Sequence, residues 1–136
     1  MVALNNFEKA VKLNAKDVEV YISMADILDN LGKTEQALNV YVDAISQSPK
    51  DPKLRCAYGA ALGANGKIEE AIAELKTATL INSYYDEAHY NLAVAYEAVG
   101  KIDKAIEEYE ETIRCNPDHY EAKANLQVLT AQNNQA

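Results

Sequence analysis

Apolar residues along this chain recur every three to four positions rather than every second one. In the stretch EAHYNLAVAYEAVG, Leu92, Ala93, Ala95, Tyr96 and Val99 fall on one side of a helix. In DKAIEEYEETI, the residues Ala105, Ile106, Tyr109, Thr112 and Ile113 stand at i, i+1, i+4, i+7 and i+8. Both patterns mark amphipathic helices with one buried stripe. Gly100 lies between them, where a residue without Cβ can end a helix in the left-handed conformation. Pro117 closes the second, because proline cannot continue a helix and pushes its predecessor toward extended backbone. Asp17, Asp51 and Asp118 stand where an N-cap is wanted, and Pro52 suits a first helical position. The alternating runs and hairpin dipeptides of β-strands are missing, so the pattern predicts an all-α chain.

The same punctuation repeats. Gly32, Gly66 and Gly100 are spaced by 34 residues, each followed by a lysine, and Ala37, Ala71 and Ala105 keep the same step. So do Leu28, Leu62 and Tyr96; Tyr41, Leu75 and Tyr109; Ala44, Ala78 and Thr112; and Pro49, Ser83 and Pro117. Each unit is therefore helix, Gly-Lys turn, helix, short turn.

A 34-residue helix-turn-helix with small residues at helix contacts, Tyr or Phe in the second helix and a closing proline resembles the tetratricopeptide repeat. The third unit carries the resemblance best, with Leu92, Ala93, Tyr96, Gly100, Ala105, Tyr109 and Pro117 at the expected places. The first unit carries it with Ala25, Leu28, Gly32, Ala37, Tyr41, Ala44 and Pro49, and the second with Gly59, Leu62, Gly66, Ala71 and Ala78. Departures are Thr112 for the usual alanine, Ser83 for the proline, and Arg55 and His89 where the family has a bulky aromatic. The resemblance implies an α-solenoid of antiparallel helix pairs wound as a right-handed superhelix, with about eight helices. Residues 1–17 read as the second helix of a truncated repeat, 18–51, 52–85 and 86–119 as repeats, and 120–136 as a capping helix with a polar tail. On this reading the domain begins in mid-repeat, as a piece of a longer repeat protein would.

In such a solenoid function lies on surfaces, chiefly the concave face lined by the first helices. Residues expected to face it include Ile22, Asp26 and Asp29 in the first unit, Cys56 and Ala60 in the second, Tyr90, Asn91 and Val94 in the third, and Asn125 in the last helix. This lining is acidic at one end, small and apolar in the middle, and aromatic with two amides at the far side. It fits a peptide or helix of another protein. The family's best-known ligand mode clamps the C-terminal carboxylate of heat-shock chaperones with Lys, Arg and Asn. The corresponding places here hold Ile22, Asp26, Ala57, Glu87 and Asn91, of which only Asn91 fits. A partner that is basic at one end and apolar in the middle is favoured instead. A second possibility is self-association through Leu4, Phe7 and Val11, the apolar face of the first helix, and a third is an adaptor segment of a larger enzyme.

Composition narrows the remaining classes. The net charge of −8 argues against a nucleic-acid partner, and no apolar run approaches the roughly 18 residues a membrane helix needs. No secretory signal pattern opens the chain, so the cytoplasm is the default location. Cys115, Asp118 and His119 in CNPDHY raise the question of a metal or thiol site, but the other cysteine and histidine, Cys56 and His89, lack the local spacing of zinc ligands. No metal and no cofactor is expected. GKTE at 32–35 lacks the earlier glycine of a phosphate-binding loop, since Ile27 stands there, and its Gly-Lys recurs in every unit as a turn. Carboxylate pairs such as Glu69 with Glu70 or Glu107 with Glu111 read as solvated faces, and no catalytic site is expected.

Overall fold

The structure is a computed structural model, and it describes residues 18–135. Seven α-helices and no strand occur among the described residues: α1 (Val18–Asn30), α2 (Thr34–Gln47), α3 (Pro52–Ala64), α4 (Ile68–Ile81), α5 (Asp86–Ala98), α6 (Ile102–Cys115) and α7 (Tyr120–Gln135). The eighth helix expected at the start of the chain, with Leu4, Phe7, Val11 and the cap Asp17, lies outside the described residues.

The local signals act as their chemistry dictates. Gly32, Gly66 and Gly100 adopt φ of 78°, 81° and 80°. The lysine after each glycine then donates its N–H back to the preceding helix: Lys33 to the Leu28 carbonyl at 2.8 Å, Lys67 to Leu62 at 2.9 Å, Lys101 to Tyr96 at 2.9 Å. These bonds satisfy carbonyls that a helix end leaves orphaned and turn the chain back on itself. Asp51 caps α3 by accepting from the Leu54 N–H at 3.1 Å, with Pro52 in the first turn. For α7 the expected cap Asp118 is not the one used. The Ala122 N–H donates to His119 Nδ1 at 3.2 Å, because the Asx turn in which Asn116 accepts from the Asp118 N–H at 3.1 Å starts the helix one residue later.

The pairs α1/α2, α3/α4 and α5/α6 pack antiparallel, with α7 against α6. Small residues set their closeness: Ala25, Gly59 and Ala93 share one column on the first helices and are all buried. Beside them lie the fully covered Leu28, Leu62, Leu75, Leu92 and Tyr109. The column of Tyr21, Arg55 and His89 shows how the departures are accommodated. Tyr21 fills its space with a ring at 3 % exposure, whereas Arg55 and His89 reach across to Glu74 and Glu108, which occupy a single column of the second helices. Thr112 is likewise satisfied, donating to the Glu108 carbonyl at 2.8 Å.

The His89 pair makes stability depend on pH. Its Nδ1 lies 2.6 Å from Glu108 Oε1 and its Nε2 2.9 Å from the Ser83 carbonyl, so both ring nitrogens face acceptors. The bond to Glu108, helped by Ser83 and opposed by burial, holds the imidazole above its ordinary range. A folded-state value above the unfolded one means the stabilisation is complete below about pH 6.5 and is lost as pH rises through the folded value. Thermal stability should therefore fall as pH rises above about 6.5. In His89→Arg, which copies Arg55, that slope should flatten, as melting curves across this range would show.

Candidate functional site

Successive first helices are joined by a ladder of contacts about one period apart. Glu19 on α1 pairs with Lys53 on α3. Asn91 Nδ2 on α5 donates to Cys56 Sγ on α3 at 3.5 Å, and Asn125 Nδ2 on α7 donates to Tyr90 Oη on α5 at 3.4 Å. The first helices thus form one continuous face, with the second helices behind it.

Most of the expected partner-facing residues are accessible on this face. Asp26, Asp29, Ala60 and Val94 are exposed, and Ile22, Tyr90, Asn91 and Asn125 are half-buried. Cys56 differs from expectation. At 3 % exposure it lies beneath the surface, covered by the Asn91 amide, and burial with a contribution from Glu87 pushes its thiol up to about 11. It is an inert core group rather than a contact for an incoming partner.

The residues do not converge on one point but divide into two zones. Around Tyr90 the face is filled: its ring packs 5.9 Å from Tyr109 and 4.7 Å from His119, and Asn125 bridges to both tyrosine hydroxyls. Ile22, Asp26, Asp29 and Ala60 instead line a cavity of ≈ 300 Å³ between α1, α2 and α3, together with Tyr41, Ala57 and Asn65. Neither Asp26 nor Asp29 has an ion-pair partner among the described residues; Asp29 accepts only a long bond, 3.5 Å, from Thr34. Their charge reaches the cavity wall, where burial first and then Asp26 and Asp29 raise the Tyr41 phenol to about 12. Sequence reasoning placed Tyr41 only in the repeating column of Leu75 and Tyr109 and missed that it borders this space.

The CNPDHY segment is used structurally. Cys115 Sγ lies 3.5 Å from the Ser83 carbonyl, while His119 caps α7 and stacks on Tyr90. Among the described residues no three His, Cys, Asp or Glu side chains are grouped to hold a metal ion, and no helix is long and apolar enough to cross a membrane.

Two family models, both described as tetratricopeptide repeat, match the chain, one over residues 31–84 and again over 62–129, the other over residues 6–39. No curated protein matches it. Among solved structures, the crystal structure of MamA superposes with a TM-score of 0.84 at 23% identity, covering 97% of this chain and 77% of that one. The first TPR domain of Spaghetti (RPAP3), bound to the HSP90 peptide SRMEEVD, gives 0.80 at 21% identity, covering 87% and 94%. YrrB, described as a TPR protein with an unusual peptide-binding site, gives 0.77 at 25% identity, covering 92% of this chain and 64% of that one. The likenesses to MamA and Spaghetti are likenesses of fold. With repeat models matched across the helix pairs, and the 34-residue period visible in both sequence and structure, the chain belongs to the tetratricopeptide repeat family.

Proposed function

We propose that this chain is a non-catalytic protein-interaction module whose first-helix face, the concave side of the solenoid, receives a peptide or helix of a partner protein. The observation that carries the reading is the cavity between the first two helix pairs, apolar in its walls and acidic at Asp26 and Asp29, on an otherwise continuous face. Apolar lining with a few convergent polar groups is the usual make-up of a binding site. Two of the similar structures support the class of ligand: Spaghetti holds a peptide, and YrrB is described by its peptide-binding site.

The partner differs in chemistry from an acidic tail such as SRMEEVD. Ile22, Asp26, Ala57, Glu87 and Asn91 present no cation at the positions that would neutralise a terminal carboxylate. A partner with lysine or arginine beside apolar residues complements this face. Titrating a fluorescein-labelled Leu/Lys amphipathic peptide should give saturable binding that weakens about tenfold between about 50 mM and about 300 mM NaCl, as partly exposed charge pairs are screened. Absent binding, or binding indifferent to salt, overturns the reading.

A further inference from the structure

The repeats can be compared with one another position by position, and one comparison exposes an incomplete site. Tyr109 stands two periods after Tyr41. The Tyr109 hydroxyl is satisfied twice: it donates to Glu97 Oε1 at 2.9 Å and accepts from Asn125 Nδ2 at 3.2 Å. The residues in the same columns around Tyr41 are Asp29 in place of Glu97 and Ala57 in place of Asn125. Aspartate is one methylene shorter, and alanine has no amide. Accordingly, the Tyr41 side chain makes no hydrogen bond among the described residues; because none of their buried polar side-chain atoms lacks a partner, its hydroxyl is open to solvent, and the residue borders the ≈ 300 Å³ cavity. Ala57 lines that cavity, as do Asp26 and Asp29, which have no ion-pair partner among the described residues.

We propose that the cavity between α1 and α3 is a subsite for a basic side chain, lysine or arginine, of the partner, whose nitrogen donates to Tyr41 Oη where Asn125 serves Tyr109. Its alkyl stem lies along Ile22, Ala57 and Ala60, and its charge is neutralised by Asp26 and Asp29. A hydroxyl oxygen that borders a cavity and receives no bond from a donor among the described residues is free to accept one from a ligand. The two carboxylates select a charged donor over a neutral one. This assignment rests on the proposal that the first-helix face binds a peptide, and it names the residue that anchors it.

The test is an amide-detected NMR titration of the whole chain with Nα-acetyl-arginine amide, Nα-acetyl-lysine amide and, as the uncharged alkyl control, Nα-acetyl-norleucine amide. Saturable shifts centred on Asp29, Ala57, Ala60 and Asn65 are expected with a basic probe, and at least fivefold smaller ones with norleucine amide. Ala57→Asn supplies the missing amide from within. Asparagine occupies this column in the next two first helices, so the variant should fold, and it should abolish the shifts. Tyr41→Phe, which keeps the packing and removes the acceptor, should weaken basic-probe binding several-fold. Equal response to norleucine amide, shifts spread over all surface carboxylates, or shifts that survive Ala57→Asn overturn the subsite. Retained binding of the Leu/Lys peptide alongside any of these results means that the subsite fails while the groove reading stands; loss of peptide binding with intact arginine shifts means the reverse.

Discussion

Tyr109→Ala is expected to lower stability by about 3–5 kcal/mol, the range for emptying a fully buried aromatic site. Tyr109 is 0 % exposed, its ring lies 5.9 Å from Tyr90, and its hydroxyl joins α6 to α5 through Glu97 and to α7 through Asn125. Removing it opens a cavity at the point where three helices meet. A domain of this kind has about 5–15 kcal/mol in total, so the melting temperature should drop by about 10–20 °C. Because each repeat touches only its neighbours, the loss should be local first. Hydrogen exchange should show α7 deprotected well before α1 and α2. Tyr109→Phe separates the two contributions: it keeps the ring and leaves Asn125 and Glu97 short of a partner, for about 1–2 kcal/mol. Uniform loss of protection along the chain, or a change below 1 kcal/mol in Tyr109→Ala, would show that the residue does not join these helices.

Gly59→Leu is expected to have an effect of similar size through the opposite cause, too much volume. A Cβ built on Gly59 would sit 2.6 Å from Leu75 Cγ, 2.9 Å from its Cδ2 and 3.4 Å from the Ala71 carbonyl, so α3 and α4 approach more closely here than a side chain permits. Overpacking of this kind costs about 1–3 kcal/mol for a methyl group and more for a branched chain, so Gly59→Leu should lose about 3 kcal/mol or more. Gly59→Ala should be milder, since alanine recovers about 1 kcal/mol of helix propensity against the clash. Chemical denaturation of both variants checks the order. If Gly59→Leu proved as stable as the parent, α3 and α4 would have to be separable without cost.

Much of the fold is legible in the residues themselves. The Gly-Lys turns, the Asp51 cap and the buried columns follow from interactions within a few positions, and repetition makes the turns and the columns visible three times over. Where the reading of neighbouring residues went astray, the choice depended on where the chain was heading. Asp118 and His119 are both capable caps, and only the Asx turn at Asn116 decides for His119. Cys56 lies on the expected side of α3, yet the Asn91 side chain from α5 closes over it.

The candidate site divides in the same way. Periodicity determined the helix-turn-helix units and the columns of Asp26, Asp29, Tyr90 and Asn125, because helical spacing and a fixed repeat place residues by arithmetic, and the family resemblance implied the solenoid. Neither could show that one end of the first-helix face is filled and the other open. That difference lies between residues far apart in sequence: Asn125 reaches Tyr109 across 16 positions and Tyr90 across 35, whereas Ala57 offers Tyr41 nothing. Whether a tyrosine hydroxyl is bonded within the protein or left open to a cavity depends on side-chain reach across packed helices, a matter of fractions of an ångström that only the tertiary structure decides.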